Sequence, residues 1–210
     1  MTEGTGLRAR KKARTRANIA STAARLFGEY GYERVSVADV AGAAEVSEQT
    51  VYNYFPTKRD LVLDRDDELR RRLADRIRRR ASGTSPAAAI RADAESLVDA
   101  IGSMPVEELQ GSVGHLAATS AAVRRLCLES TDQLANDFAT AIVDTTTDVS
   151  LARAKVHAIA LAWISQTVID EGGRRSRDGQ RPDQIVREVR PLVSAIVDDL
   201  DTWFHHEFAP

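Results

Sequence analysis

VSEQTVYNYFPTKRDLV, residues 46–62, sets ring surface and polar groups side by side. Tyr52, Tyr54 and Phe55 fall almost consecutively in a chain whose aromatics make up only 5% of residues. Glu48, Gln49, Thr50 and Asn53 are interleaved with them, and the run then turns through Pro56, Thr57 and Lys58. Ser47 is placed to cap a helix reaching about Tyr54, since a hydroxyl there accepts a backbone N–H that has no partner inside the helix. Pro56 pushes Phe55 out of the helical region and ends that helix. Val51 and Phe55 are four apart and share the packed face. Gln49, Tyr52 and Asn53 then point largely away from it, with Thr50 flanking and Tyr54 at the edge. A stretch built only for a core has no use for those polar groups.

Working outward, a helix reads clearly from about Lys11, with Ile19, Ala23, Leu26, Phe27 and Tyr30 at helical spacing. Gly31 stands where a left-handed C-terminal cap belongs. Ser36 caps a second, short helix, Asp39 completes a short capping box, and Val37, Val40, Ala41 and Ala44 form its buried stripe. Two short helices joined by a turn, the second led by small polar residues, make a helix-turn-helix. Beyond it, Thr57 with Asp60 is expected to cap one fourth helix carrying Leu61, Val62, Leu69, Leu73 and Ile77. The remainder also reads as helices, broken at 102–105, 111–114 and 172–182. These are a helix over about 121–145, one over about 151–171, and a last one in which Pro191 either makes a kink or marks the start. The 151–171 helix carries Val156, Ile159, Ala160, Trp163, Ile164 and Thr167 in register. The last carries Ile185, Val189, Leu192, Val193, Ile196, Val197, Leu200, Trp203 and Phe204. GGRRSRDGQRPD (172–183), between them, reads as a solvated mobile loop. No stretch keeps a strand period, so the fold class is all-α.

Composition narrows the function. The chain has 210 residues, 43% hydrophobic and 29% charged, which fits a globular protein able to bury a core. One cysteine and four histidines leave no internal disulfide and little material for a zinc site, so no metal or cofactor is expected and a reducing cytoplasm fits. The N-terminus has no apolar core of a signal peptide, and AIALAWI (158–164) is far too short to span a bilayer. Residues 1–60 hold ten cations against seven anions and carry +3, leaving −5 on the rest of a chain whose net charge is −2. A basic end on an acidic body points to a polyanion as partner.

The outward face of the 47–54 helix has the chemistry for that partner. Gln and Asn can each make two hydrogen bonds to adenine, and a threonine methyl can touch thymine. Tyrosine hydroxyls and Lys58 suit phosphate oxygens, helped by the positive end of the helix that follows. The same face also reads as an ordinary polar surface, since exposed Gln, Thr and Asn are commonplace.

The whole constellation decides between these. ANIASTAARLFGEYGYERVSVADVAGAAEVSEQTVYNYFPTKRDLV resembles the N-terminal DNA-binding domain of the TetR family of transcriptional repressors, over roughly residues 11–65. The matching positions run from Ile19, Ala23, Leu26 and Phe27 through Gly31, Val40 and Ala44 to Val46, Ser47, Thr50, Val51, Tyr52, Tyr54, Phe55 and Lys58. There is one departure: Glu45 stands where the family usually has glycine before the Val-Ser of the turn. If that position is left-handed, a side chain there costs about 1 kcal/mol. The resemblance implies DNA contacts at Glu48, Gln49, Thr50, Tyr52, Asn53, Tyr54 and Lys58, to which the cap residues Ser36 and Ser47 are added. Arg10, Lys11, Lys12 and Arg14 would supply further phosphate or minor-groove contacts.

The resemblance also implies an organisation. Residues 1–10 would be a disordered basic arm, 11–65 the helix-turn-helix domain, and 66–210 a larger helical bundle that binds a ligand and dimerises. The apolar stripes of the last two long helices independently favour a homodimer through a bundle shared by two subunits, the other reading being that both stripes simply face the core of one protomer. The expected protein is a repressor on a partly palindromic operator in double-stranded DNA, released by a small-molecule inducer. Met104, Leu126, Cys127, Ser130, Leu134, Phe138 and His157 are the candidate ligand contacts, each of which also reads as plain core. The alternative is a constitutive DNA-binding regulator without an inducer. An enzyme finds no nucleophile–base pair, phosphate loop or metal cluster to rest on, so no catalytic residue is assigned.

Overall fold

The computed structural model describes residues 3–147 and 149–208, with side chains described over 8–147 and 149–206. Residues 1 and 2 of the expected arm, and residues 209 and 210, lie outside that range. Among the described residues there are nine α-helices and no strand: α1 Glu3–Tyr30, α2 Val37–Ala43, α3 Glu48–Tyr54, α4 Asp66–Arg78, α5 Pro86–Gly102, α6 Val113–Thr119, α7 Ala121–Val143, α8 Leu151–Arg177 and α9 Pro182–Phe208. Short 3₁₀ turns at Lys58–Leu61 and Val106–Gly111 join α3 to α4 and α5 to α6. No helix among the described residues is long and apolar enough to cross a membrane.

Local chemistry sets most of the helix ends. Serines 36, 47, 85, 112, 120 and 150 each accept a backbone N–H at the start of a helix. Pro86 and Pro182 open α5 and α9, where a missing N–H costs nothing. Gly31 ends α1 at φ 86°, its N–H bonded to the Phe27 carbonyl at 2.9 Å. That left-handed backbone is one only glycine adopts freely.

The structure departs from the sequence-based expectation in three places. Residues 3–10, expected as an irregular arm, continue α1, because the Arg-, Lys- and Ala-rich run after them favours helix. The single fourth helix is instead a 3₁₀ turn and a separate α4, divided at Arg65, whose φ of 58° is left-handed. The acidic triplet Asp66, Asp67, Glu68 fills the first turn of α4, where carboxylates meet the positive helix end. Finally, GGRRSR is not a loop: α8 runs through it to Arg177 with Gly172 and Gly173 buried. A Cβ on Gly173 would collide with the Gly114 carbonyl of α6. These glycines therefore allow two helices to approach closely rather than ending one.

Two apolar cores result. The larger is built from α4, α5, α7, α8 and α9 around Ile77, Val98, Phe138, Ile142 and Ile164. The smaller gathers Ile19, Phe27, Val40, Val51 and Phe55 of the first three helices, and also Leu116, Val123 and Cys127 of α6 and α7. The N-terminal helices are thus seated on the body. Gly28 of α1 lies so near the 3₁₀ turn that a Cβ would come within 2.9 Å of the Gln110 backbone.

The last two long helices have two apolar faces. Ala154, Ala158, Leu161, Ala162 and Ile164 of α8 and Ile185, Val189, Val193 and Val197 of α9 enter the core. Val156, Ile159 and Trp163, one stripe of α8, face outward with exposures of 55%, 42% and 44%, joined on α9 by exposed Leu192. The register read from the sequence for α8 is therefore shared between two faces, since Ile164 is buried while its neighbours point out.

Candidate nucleic-acid interface and cavity

Two capped helices hold the interface. The Asp39 carboxylate accepts from the Ser36 backbone N–H at 2.7 Å and its hydroxyl at 2.6 Å, while Ser36 Oγ accepts from the Asp39 N–H at 3.1 Å. Hydrogen bonding to Ser36 holds the Asp39 carboxyl below the usual range, which keeps the box charged and closed. Ser47 Oγ accepts from the Thr50 N–H at 3.1 Å and lies 2.8 Å from the Thr50 hydroxyl. Between these helices Glu45 takes φ 55°, the left-handed conformation that glycine would adopt without strain.

Val51 and Phe55 are buried, so α3 has a fixed rotation about its own axis. Glu48, Gln49, Tyr52 and Asn53 are exposed on the opposite side, and Gln49 Nε2 donates to Asn53 Oδ1 at 3.2 Å. These four form one polar surface. The other five candidates sit differently. Ser36, Ser47 and Thr50 use their hydroxyls in the caps, and Tyr54 is half-buried against the smaller core. Lys58 opens a short 3₁₀ turn rather than a long helix. Its Nζ donates to the Tyr32 carbonyl at 2.5 Å and rests 4.2 Å from the centre of the Tyr32 ring. Burial pushes its pKa down, against the pull of Glu33 and Asp39. Reaching a phosphate would require that ammonium to leave the tyrosine.

Arg16 is a positioning residue that sequence reasoning missed. Its guanidinium lies 4.4 Å from the centre of the Phe55 ring, donates to the Tyr54 carbonyl at 2.7 Å, and pairs with Asp64. It thereby ties α1 to the end of α3 and to the connector before α4. Its signal was its register: Arg16 falls three residues before Ile19 and seven before Ala23, on the packed face of α1 and not among the free arginines of the arm. Asn18 adds a bond from Nδ2 to the Ala44 carbonyl at 3.1 Å.

Behind this unit lies a cavity of about 320 Å³. Its wall brings together four of the seven candidate ligand residues, Met104, Cys127, Ser130 and Leu134. Cys127, Ser130 and Leu134 share one stripe of α7, three and four residues apart. Leu126 is one step around the helix from that stripe and does not line the cavity, and Phe138, a turn beyond Leu134, packs into the larger core. His157 is also placed elsewhere: it is buried against α9, stacked on Trp203 with ring centres 3.7 Å apart. The wall also contains Asp66, Arg70 and Thr131, which the sequence reading did not select. Asp66 accepts from the Ser130 hydroxyl at 2.6 Å, Arg70 donates to Asp137 at 2.7 Å, and Arg59 pairs with Glu129 at 3.1 Å. These three contacts fasten α4 and the turn before it to α7.

Known proteins resemble this chain in part of its sequence and in its fold. Residues 19–64 match the family described as bacterial regulatory proteins, tetR family. The HTH-type transcriptional regulator TcmR of Streptomyces glaucescens is 40% identical over 60 residues, 29% of this chain and 26% of that protein. The chain therefore matches about a quarter of the length of this relative. Two solved structures share the fold at TM-score 0.52: the fatty acid degradation regulator FadR of Bacillus halodurans and a transcriptional regulator of the TerR/AcrR family from Aquifex aeolicus. The first is 15% identical, with 87% of this chain and 94% of that one aligned; the second is 16% identical, with 87% and 99% aligned.

Proposed function

We propose that this chain, a DNA-binding transcriptional regulator of the TetR family, acts as a homodimeric repressor that a small molecule releases from its operator. The observation that carries the DNA-binding part is the outward surface of α3, with Gln49, Tyr52 and Asn53 exposed on a helix fixed by buried Val51 and Phe55. Gln49 and Asn53 read base edges, while Tyr52 and Glu48 flank them. Ser36, Ser47, Thr50 and Tyr54 set the angle of the helix and touch the backbone where they can. Lys58 meets a phosphate after leaving Tyr32. Arg10, Lys11, Lys12 and Arg14, all exposed on α1, extend the phosphate contacts.

A second copy covers the outward stripe of Val156, Ile159, Trp163 and Leu192. Exposed Trp is the kind of anchor that dominates protein interfaces, and a two-fold pair of α8–α9 hairpins makes a four-helix bundle. The dimer sets two α3 helices about 34–36 Å apart for successive major grooves of a partly palindromic site. The cavity takes the inducer. It abuts the Val62–Asp66 connector, so a molecule filling it competes with the Ser130–Asp66 and Arg70–Asp137 contacts that hold α4. Turning a population from 1:99 to 99:1 needs about 5.5 kcal/mol of differential affinity.

Selection from random duplexes with the full-length protein tests the first part. The expected product is an enriched site with two inverted halves about one helical turn apart. A single unrepeated half-site, or salt-dependent binding with no enrichment, would remove the dimeric operator reading.

A further inference from the structure

The charges around the cavity define what it admits, on the reading that it is the regulatory site. Most of its wall is aliphatic, and the charged side chains that line it are Asp64, Asp66 and Arg70. Arg16 pairs with Asp64. The Arg70 guanidinium faces three carboxylates: Asp137 at 2.7 Å, Asp67 at 2.6 Å and Asp66 at 3.5 Å. Its Nε is buried and makes no hydrogen bond, yet an anion approaching it would meet the Asp66 carboxylate at the same spot. The positive end of α4 offers no opening either, because Asp66, Asp67 and Glu68 already fill its first turn. Asp66 itself receives one short bond, from Ser130 Oγ at 2.6 Å, and pairs at longer range with Arg70 at 3.5 Å and Arg59 at 3.9 Å. Cys127 senses the same environment: its thiol is pushed up to about 11 by burial, then by Asp170 and Asp66, against Arg59 and Arg124. Negative charge is disfavoured here, and a part-buried carboxylate whose one short bond comes from a serine hydroxyl is the natural polar anchor.

We propose that the cavity binds an apolar molecule whose single polar end is a hydrogen-bond donor, cationic or neutral, seated on Asp66 beside Ser130, and that it rejects carboxylates of equal size. At the ~30 Å³ a water-sized group occupies in a liquid, the volume corresponds to roughly a dozen non-hydrogen atoms. The ligand donates to Asp66 in place of Ser130, and so acts directly on the contact that joins α4 to α7.

Decylamine, 1-decanol and decanoate are probes of matched length for calorimetric titration of the full-length protein. The amine should bind saturably, one per protomer, at least about tenfold tighter than decanoate, with the alcohol between them. Asp66→Asn should bring amine and carboxylate within about threefold of each other, while Ser130→Ala, which frees the carboxylate, should keep or widen the gap. Should Asp66→Asn lose its cooperative melt, the wild-type order and Ser130→Ala decide. Decanoate equal to or tighter than decylamine, an unchanged ratio in a folded Asp66→Asn, or no binding of any probe would overturn the inference. Operator release is read separately. Amine binding without release leaves the inference standing and removes the inducer role, whereas tighter decanoate binding with release does the reverse.

Discussion

The outward faces of α3 and α8 are both left uncovered by the protomer, yet they are made of opposite materials. On α3 the exposed side chains are Glu48, Gln49, Tyr52 and Asn53; on α8 they are Val156, Ile159 and Trp163. Each helix is held in the same way, by aliphatic or aromatic side chains on its inner side, so burial fixes the rotation of both. The outer residues then differ in the solvent they suit. Amides and hydroxyls lose little in water and retain their hydrogen bonds at a wet, charged groove. A tryptophan beside two branched aliphatics gains most where water is excluded, as between two protein copies. One face suits the proposed DNA partner, and the other suits the proposed second copy.

Breaking the apolar face should have the larger consequence. Trp163→Asp is expected to weaken the dimer by at least about a hundredfold, since it buries a charge at the centre of the proposed contact. Sedimentation should show monomer at micromolar concentration that keeps the native helical circular dichroism, because Trp163 is exposed on the protomer. An unchanged dimer would move the interface off this stripe.

On the polar face, Asn53→Ala should lose about 1–3 kcal/mol of discrimination at one base pair while binding to other sequences changes little. Equal weakening across all duplexes would make Asn53 a positioning group. Glu45→Gly, just before α3, should raise stability by about 1 kcal/mol by relieving left-handed backbone, read as a higher melting temperature. A lower one would show that the side chain compensates for its conformation. Lys58→Ala carries the smallest expected change, a salt slope reduced by roughly 0.9. If the slope holds and the melt drops, the lysine serves as a latch on Tyr32 and not as a phosphate contact.

The legibility of these regions in the sequence follows the range of the forces involved. Gly31, Ser36, Ser47 and Pro56 act on their own or adjacent turns, and each ends or begins a helix where the local pattern placed it. Val51 and Phe55 proved buried because four-residue spacing is a property of the helix itself. Gly172 and Gly173 misled for the opposite reason. In isolation two glycines interrupt a helix, and only the Gly114 backbone opposite Gly173 and the Ile101 side chain opposite Gly172 explain their place inside α8. The cavity was half legible: Met104, Cys127, Ser130 and Leu134 were among the candidates, but Asp66 and Arg70 join them from another helix. His157 looked like its neighbours in sequence and was claimed by Trp203 of α9.

By itself, then, the sequence determined the helical class, the helix-turn-helix and the rotation of α3, because capping, helical period and proline sterics operate within a few residues. Tertiary structure alone decided which face of α8 is inner and which outer, tied Arg16 to Phe55 and Lys58 to Tyr32, and set the Asp66 carboxylate of α4 against the Ser130 hydroxyl of α7. Those arrangements depend on contacts between residues far apart in the chain, whose energies exist only once the helices have packed.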